Sequence, residues 1–406
     1  MKKWKEFHPI VKLILIGSII TNISNGMIVP YFTLYLYEYV NLNIVQIGFL
    51  IGISSLAAMI GGFFGGTLSD LIGRRSVMTI SLVISAFVMV GFTFHTFPLL
   101  LILLTIVKGF IVSFFDPCAK ALISDLTKKE HRLSAFSMKY FSVNIGFAIG
   151  PIVGILLALN ETSTVPFYIA FSIFLTYSLL LNMLLTKYNV SKISGKNNNS
   201  TSIGSSFKTL ARDKVLFLFL IGGTLATIVH GEFTVTLSQY FNVEFKRGLV
   251  YLGILWSVHS IVIIFLTIPI SNFMSSRTPL QAIKIGTILF ALGTIFFGIS
   301  FNLPTFLVAM IIFTIGEIFL IPAEYAIIDE ITPEHIRGTY YGAASFTTLG
   351  SFIGPGLSSL LLVKFNGYVM FIFLTCICLI SILFYMWGMR VKNSQHIEVA
   401  VVTKLK

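Results

Sequence analysis

The sequence predicts an all-α membrane protein: twelve transmembrane helices in two pseudo-symmetric six-helix halves, with both termini cytoplasmic. Three observations carry that reading. Of 406 residues, 56% are hydrophobic and only 11% charged, with a mean hydropathy of +0.91, whereas soluble domains carry about 25% charged residues. The apolar runs, at ~20–25 residues each, are long enough to cross a bilayer about twelve times. A polar linker and an internal repeat then divide those runs six and six.

The runs lie roughly at 9–37, 43–68, 77–95, 98–124, 134–159 and 165–186, then 214–241, 249–271, 280–300, 303–328, 338–363 and 367–389. Between the sixth and seventh, the stretch from Ser191 to Ser202 is polar and of low complexity, as a flexible linker is. The expected organisation is an N-terminal bundle over 1–190, a linker over 191–212, a C-terminal bundle over 213–392 and a cytoplasmic tail over 393–406. Asn199-Ser200-Thr201 has the form of a glycosylation sequon but falls on the cytoplasmic side of this topology.

The formal charge of +12 would suit a nucleic-acid binder, but its distribution excludes that. Lys246, Arg247 and Lys364 fall in one set of alternate loops, and Lys108, Lys120 and Lys139 within apolar runs. The rest of the 28 basic residues crowd the other loops and the two tails. This positive-inside asymmetry sets orientation and attraction to anionic lipid, not to nucleic acid. Lys2, Lys3 and Lys5 lead into a run too long for the core of a cleaved signal peptide. Cys118, Cys376 and Cys378 lie in apolar runs without disulfide or metal-ligand spacing. No Walker A loop and no nucleophile–base pair is present, so neither an enzyme nor a cofactor or metal is expected.

The halves repeat. Pro117, Thr127 and Arg132 match Pro322, Thr332 and Arg337 at one offset, and Gly146, Gly150 and Pro151 match Gly350, Gly354 and Pro355 one residue out of step. Asp70 and Arg75 are echoed more weakly by Asn272 and Arg277. Thr332 followed by Pro333 reads as the N-cap and first-turn proline of a short cytoplasmic helix.

The turn Gly66-Thr67-Leu68-Ser69-Asp70-Leu71-Ile72-Gly73-Arg74-Arg75 has a physical job between the second and third runs. Gly66 lets another helix approach closely. Gly73 lets the chain reverse, and Arg74 and Arg75 hold the turn in the cytoplasm. Asp70 is placed to pair with an arginine or with the positive N-terminus of another helix. This G-x-x-x-D-x-x-G-R-R pattern resembles the signature between the second and third spans of the major facilitator superfamily, with Leu71 where that family usually has a basic residue. The resemblance implies the major facilitator fold and a multi-pass transporter of the bacterial plasma membrane. Its partners would be a small-molecule substrate, protons and the lipid bilayer, and it would work as a monomer. The site of such a transporter lies near the midplane, between the halves.

In the fifth run Gly146, Gly150, Pro151 and Gly154 form a close-packing, helix-bending pattern. It resembles the antiporter signature of drug–proton exporters in the superfamily, departing at Ile155, where a glycine is usual. Charges inside spans cost roughly 2.5–3.5 kcal/mol each at a helix centre and mark function by default. Glu232, with His230 two residues before it, and Glu317 have no opposite charge one turn away. Both are therefore expected to be desolvated proton carriers. Thr314-Ile315-Gly316-Glu317 followed by Pro322, and Glu232-Phe233, resemble spans of LmrP-type multidrug exporters. In that group acids here serve proton coupling and binding of cationic drugs, and a third acid of the group falls on Lys139 in this chain.

Asp116 and Lys120 lie four apart and are expected to neutralise each other. Lys108 has no intrahelical acid, and is read as a counter-ion of Glu232 or Glu317 or as a site for an anionic substrate group. It is also read as a replacement for the family's arginine three residues earlier, where Thr105 stands. His259 reads as a hydrogen-bonded polar residue or a relay, and Glu324 lies two turns from Glu317 on nearly the same face. Asn22 and Asn25, with Tyr31 and Tyr35 above them, are expected to line a cavity. Asp125 and Glu330 occupy matching places at the cytoplasmic ends of the fourth and tenth spans. Pairing of Arg74 or Arg75 with Asp125, and of Arg277 with Glu330, would latch that face. Together these residues predict proton-coupled export of amphipathic small molecules by alternating access. The alternative is a substrate-specific carrier: a lipid or metabolite flippase, or an uptake symporter.

Overall fold

The computed structural model describes residues 2–39, 44–94, 98–157, 164–190, 203–232, 236–245 and 247–404, and among them there is no strand. The linker residues 191–202, Tyr31 and Tyr35 as side chains, and the side chain of Glu232 lie outside the described set. A short α1 (Lys2–Glu6) precedes α2 (Pro9–Tyr39), α3 (Ile44–Ile72), α4 (Arg74–Gly91), α5 (Pro98–Val112), α6 (Phe115–Asp125), α7 (Lys129–Leu157) and α8 (Val165–Lys187). After the linker come α9 (Ile203–Arg212), α10 (Lys214–Glu232), α11 (Thr236–Glu244), α12 (Gly248–Met274), α13 (Pro279–Ile299) and α14 (Leu303–Ile331). The chain ends in α15 (Arg337–Ala344), α16 (Leu349–Lys364) and α17 (Gly367–Lys404). Among the described residues, eleven helical stretches are long and apolar enough to cross a membrane. The fifth expected span, α7, is a helix of 29 residues whose first turns are charged.

Where the sequence reads as one apolar run, the chain twice makes two helices. The fourth run breaks between Val112 and Phe115, just before Pro117. Proline has no N–H to offer the carbonyl four residues back, so the ladder is interrupted there. The eleventh run divides into α15, a 3-10 turn over Ser345–Thr348, and α16. At the other end of α14 the expectation for Thr332 is corrected. Thr332 closes α14 as its C-cap and bonds back to the Ile328 carbonyl, and a 3-10 turn over Glu334–Ile336 then leads into α15. Pro333 fits as the extended residue before that turn, its φ fixed near the observed −62°.

Cα packing divides the chain into two compact units. The first is Met1–Ser206 with Pro333–Ser345, and the second is Phe207–Thr332 with Phe346–Lys406. The segment containing α15 therefore belongs, by its contacts, with the first six spans. Within the first unit α2 packs along α7, α3 along α5 and α15, and α4 along α8. A Cβ on Gly150 would stand 2.7 Å from the Ile23 carbonyl and 2.8 Å from the Gly26 Cα; one on Gly146 would stand 2.7 Å from the Ile19 carbonyl; one on Gly154 would meet the Met27 backbone. Small residues are what let α2 and α7 touch backbone to backbone, as helices in lipid do.

The second unit is built the same way. α13 and α14 meet through Gly286 and Gly316 and through stacked rings of Phe290 and Phe313, whose centroids are 3.9 Å apart. Both helices begin with a full capping box, Thr278 with Gln281 and Asn302 with Thr305. Each box satisfies amide groups that would otherwise be orphaned at a helix start.

Candidate functional site

Within the first unit, the turn motif closes onto α15. Asp70, near the end of α3, accepts from the backbone N–H of Gly338 at 3.0 Å and of Thr339 at 2.6 Å, and from the Thr339 hydroxyl at 2.9 Å. Those amides are orphan donors of the first turn of α15, where the helix dipole favours a negative charge. Arg74 Nη2 stands 3.9 Å from Asp70, and Arg74 Nη1 pairs with Asp125 Oδ2 at the end of α6. Asp125 Oδ1 takes Arg337 Nη1 at 2.6 Å. All four side chains are nearly shielded from solvent. Gly66 and Gly62 of α3 face Gly338 and Gly342 of α15, and a Cβ on Gly66 would collide with the Gly338 carbonyl. Gly73 takes φ 95°, in the region open to glycine, and so turns α3 into α4.

Of the expected latch, Arg74 takes Asp125 and Arg75 does not. Arg75 donates from Nε to Asn182 Oδ1 at 2.7 Å, leaving Asp125 to Arg74 and Arg337. Arg277 and Glu330 do not pair. Arg277 lies over the Phe273 ring at 3.5 Å and donates to the Phe273 carbonyl at 3.1 Å, while Glu330 takes Lys392 at 3.5 Å. Arg277 sits just past the end of α12, where carbonyls without an intrahelical donor and a nearby ring satisfy it locally.

In the second unit Glu317 of α14 is not isolated, as its sequence neighbours suggest, but held between two imidazoles from other helices. His230 Nε2 of α10 lies 3.0 Å from Oε1, and His259 Nε2 of α12 lies 2.8 Å from Oε2. Each ring presents Nε2 to a carboxylate oxygen, so in the ionised state of Glu317 both rings donate from Nε2–H. Exposure is unequal across the cluster: the His230 side chain is 45% exposed, Glu317 3% and His259 11%. The ring of Trp256 covers His259 edge-on at 5.5 Å. Glu324, two turns on, accepts from the hydroxyl of Tyr385 of α17.

A second charged cluster lies inside the first unit. Asp116 Oδ2 takes Lys120 at 2.7 Å within α6, as expected, and its Oδ1 takes Lys139 of α7 at 3.0 Å. The ammonium of Lys108 in α5 rests over the rings of Phe32 and Phe92, 5.7 and 5.9 Å from their centroids, a cation–π arrangement. Asn22 is half-buried on α2 and spends a donor on the Ser18 carbonyl of its own helix at 2.7 Å; Asn25 is half-buried one turn on.

Sequence reasoning missed Arg337 and Thr339 as partners of the turn motif, although Arg337 stood out as the repeat-mate of Arg132. The meeting of His230, Glu317 and His259 has no local signal, because its members lie 87 and 58 positions apart.

The model of the Major Facilitator Superfamily matches residues 14–348 of the chain. Over 404 residues, covering 98% of both chains, the protein is 29% identical to the uncharacterized MFS-type transporter YqjV of Bacillus subtilis. It is 26% identical to a Na(+), Li(+), K(+)/H(+) antiporter of Planococcus maritimus, over 95% of this chain and 97% of the relative. It is 21% identical to the multidrug resistance protein MdtH of Photorhabdus laumondii, over 85% and 83%. Eleven apolar helices among the described residues, together with bacterial relatives, make this a multi-pass protein of the bacterial plasma membrane. With that match across most of its length, and with the turn motif seated on α15 as its charges require, the chain belongs to the Major Facilitator Superfamily of transporters.

Proposed function

We propose that the protein is a proton-coupled exporter of amphipathic small molecules that works by alternating access, with Glu317 as the group that carries the proton. The observation that carries this reading is the placement of a membrane-buried carboxylate between two imidazoles, one of which, His230, is 45% exposed. Proton exchange at Glu317 runs through His230, and His259 holds the second oxygen so that charge is shared when the proton leaves. A buried ionisable cluster of this kind is costly in a membrane and is retained for a function. The relatives named as a Na(+), Li(+), K(+)/H(+) antiporter and as a multidrug resistance protein support exchange against protons and a drug-like cargo.

The Asp70–Arg74–Asp125–Arg337 cluster is the conformational latch in this reading. It fixes α15 on α3 and α6 in one state and releases it in the other. Both charged oxygens of each acid are engaged, so the latched state is discrete rather than graded.

The test is transport in liposomes holding the purified protein, with an imposed pH gradient and a panel of lipophilic dyes. Gradient-driven dye movement that Glu317→Gln abolishes supports the reading. No gradient-driven movement across the panel, from protein that is folded by size exclusion, overturns it.

A further inference from the structure

We infer that the cargo carries an anionic group, such as a carboxylate, sulfonate or phosphate ester, and that Lys139 and Lys120 bind it in the first unit, with Asp116 as an internal competitor. This rests on the transport reading above and specifies the charge of what is moved.

The cluster lies deep in the spans. Asp116 is nine residues from the end of α6 at Asp125 and Lys139 ten residues from the start of α7 at Lys129. At 1.5 Å per residue each is ~14–15 Å from that end, about the middle of a 30 Å hydrocarbon core. Local neutralisation of Asp116 needs one lysine, and Lys120, one turn along the same helix, already supplies it at 2.7 Å. Lys139 is a second cation brought from another helix. Its side chain is 5% exposed, and among the described residues Asp116 is its one hydrogen-bonding partner, although an ammonium has three donors.

Exposure shows which member of the cluster gives way. The lysines are 5% and 12% exposed, but the carboxylate between them is 46% exposed. Asp116 thus lies on the open side of two sheltered ammonium groups, one oxygen on each. An incoming carboxylate or phosphate can reproduce that bridge, because ammonium N–H groups donate to any such pair of anionic oxygens at about 2.7–2.9 Å. The wider field points the same way. Among the described residues of α5, α6 and α7 between Pro98 and Ser124 and from Ser134 to Leu157, the charged groups are Lys108, Asp116, Lys120 and Lys139. Three are cations. A cationic cargo would add like charge in a medium of low dielectric, and an anionic one subtracts from it.

The test is equilibrium binding to the purified full-length protein in nanodiscs, by calorimetry, with no proton gradient. The probes are 2-naphthoate, naphthalene-2-sulfonate and naphthyl phosphate, against tetraphenylphosphonium as the cation of similar apolar character. At least one anion should bind saturably, and Lys139→Gln should weaken it by about tenfold or more, as removal of a sheltered charge partner does. Lys139→Arg should hold affinity within a few-fold, and Asp116→Asn should tighten it by removing the competing carboxylate.

The opposite sign for Asp116→Asn separates ligand binding from a structural role, and decides the matter if Lys139→Gln fails to fold. Binding of tetraphenylphosphonium but of none of the anions, or an anion affinity that Asp116→Asn lowers or leaves unchanged, overturns the inference. Anion binding without any gradient-driven transport would remove proton coupling and leave this inference standing. Gradient-driven cation transport without anion binding would do the reverse.

Discussion

Arg337 donates to Asp125 Oδ1 at 2.6 Å across 212 positions of sequence, while Arg74 occupies the other oxygen of the same carboxylate. Two sheltered guanidinium groups thus share the Asp125 carboxylate, with Asp70 3.9 Å from Arg74 and Glu334 3.3 Å from Arg337. Removing one member of a buried ion cluster costs roughly 3–5 kcal/mol, because the remaining charges lose their compensation. Asp125→Asn is therefore expected to lower the melting temperature of the solubilised protein clearly. It should also shift the protein towards the state in which α15 is released, read by labelling of a cysteine placed at Thr339. A melting temperature and labelling rate both equal to wild type would remove Asp125 from the latch.

Asp70 should behave more mildly. Its contacts are three hydrogen bonds to the first turn of α15 and a long-range attraction to Arg74 at 3.9 Å. Asparagine keeps an oxygen acceptor but loses the charge that faces the helix dipole, a term worth up to ~2 kcal/mol in sheltered geometry. Asp70→Asn is expected to slow transport several-fold with a smaller fall in melting temperature than Asp125→Asn. If Asp70→Asn and Asp125→Asn both left transport rates unchanged, the latch would be abandoned.

How much of this was legible beforehand follows from the range of each interaction. Asp70 at a helix end and Gly73 in a reversal are positions set within one turn, and Gly66 offers a close contact by residue type alone, so these roles could be read from type and spacing, whereas the partners of Asp70 and Gly66 on α15 could not. Lys120 beside Asp116 was legible for the same reason, being one helical turn away. Arg277 was misplaced because the repeat aligns it with Arg75 but does not show Phe273 and its carbonyl waiting one turn back. Lys139 on Asp116, and both histidines on Glu317, depend on which helices become neighbours, and apolar runs do not encode that pairing. The break before Pro117 was hidden for another reason. Hydropathy is continuous across it, although the proline itself was in view.

The α2–α7 contact offers a test of packing without charge. Gly150 stands against Ile23 and Gly26, where an added Cβ would come within 2.7–2.8 Å of backbone. Gly150→Ala forces the two helices apart, and overpacking of this kind costs typically 1–3 kcal/mol. Gly253 has nothing within 4 Å of the same position, so Gly253→Ala is the matched control on another helix. The expected result is a lowered melting temperature for Gly150→Ala alone. Equal melting temperatures for the two variants would mean that α2 and α7 are not in this contact in solution.

The sharpest division of labour is expected around Glu317. His230 and His259 each hold one of its oxygens, but His230 is 45% exposed and His259 only 11%. Glu317→Gln keeps size and one acceptor while removing the exchangeable charge, so gradient-driven transport should fall to background with little loss of stability. His259→Phe takes one donor from a sheltered carboxylate oxygen, a deficit of about 1–3 kcal/mol, and should lower the melting temperature as well as the rate. His230→Gln retains an N–H donor to Oε1 but cannot pick up a proton from water. It should slow the gradient-driven rate while leaving the melting temperature near wild type. The measurement is the ratio of gradient-driven transport to equilibrium exchange of the same dye, alongside melting temperature, for all three variants. If His230→Gln kept the full driven rate, protons would reach Glu317 by another path, and the exposure of His230 would have no part in coupling.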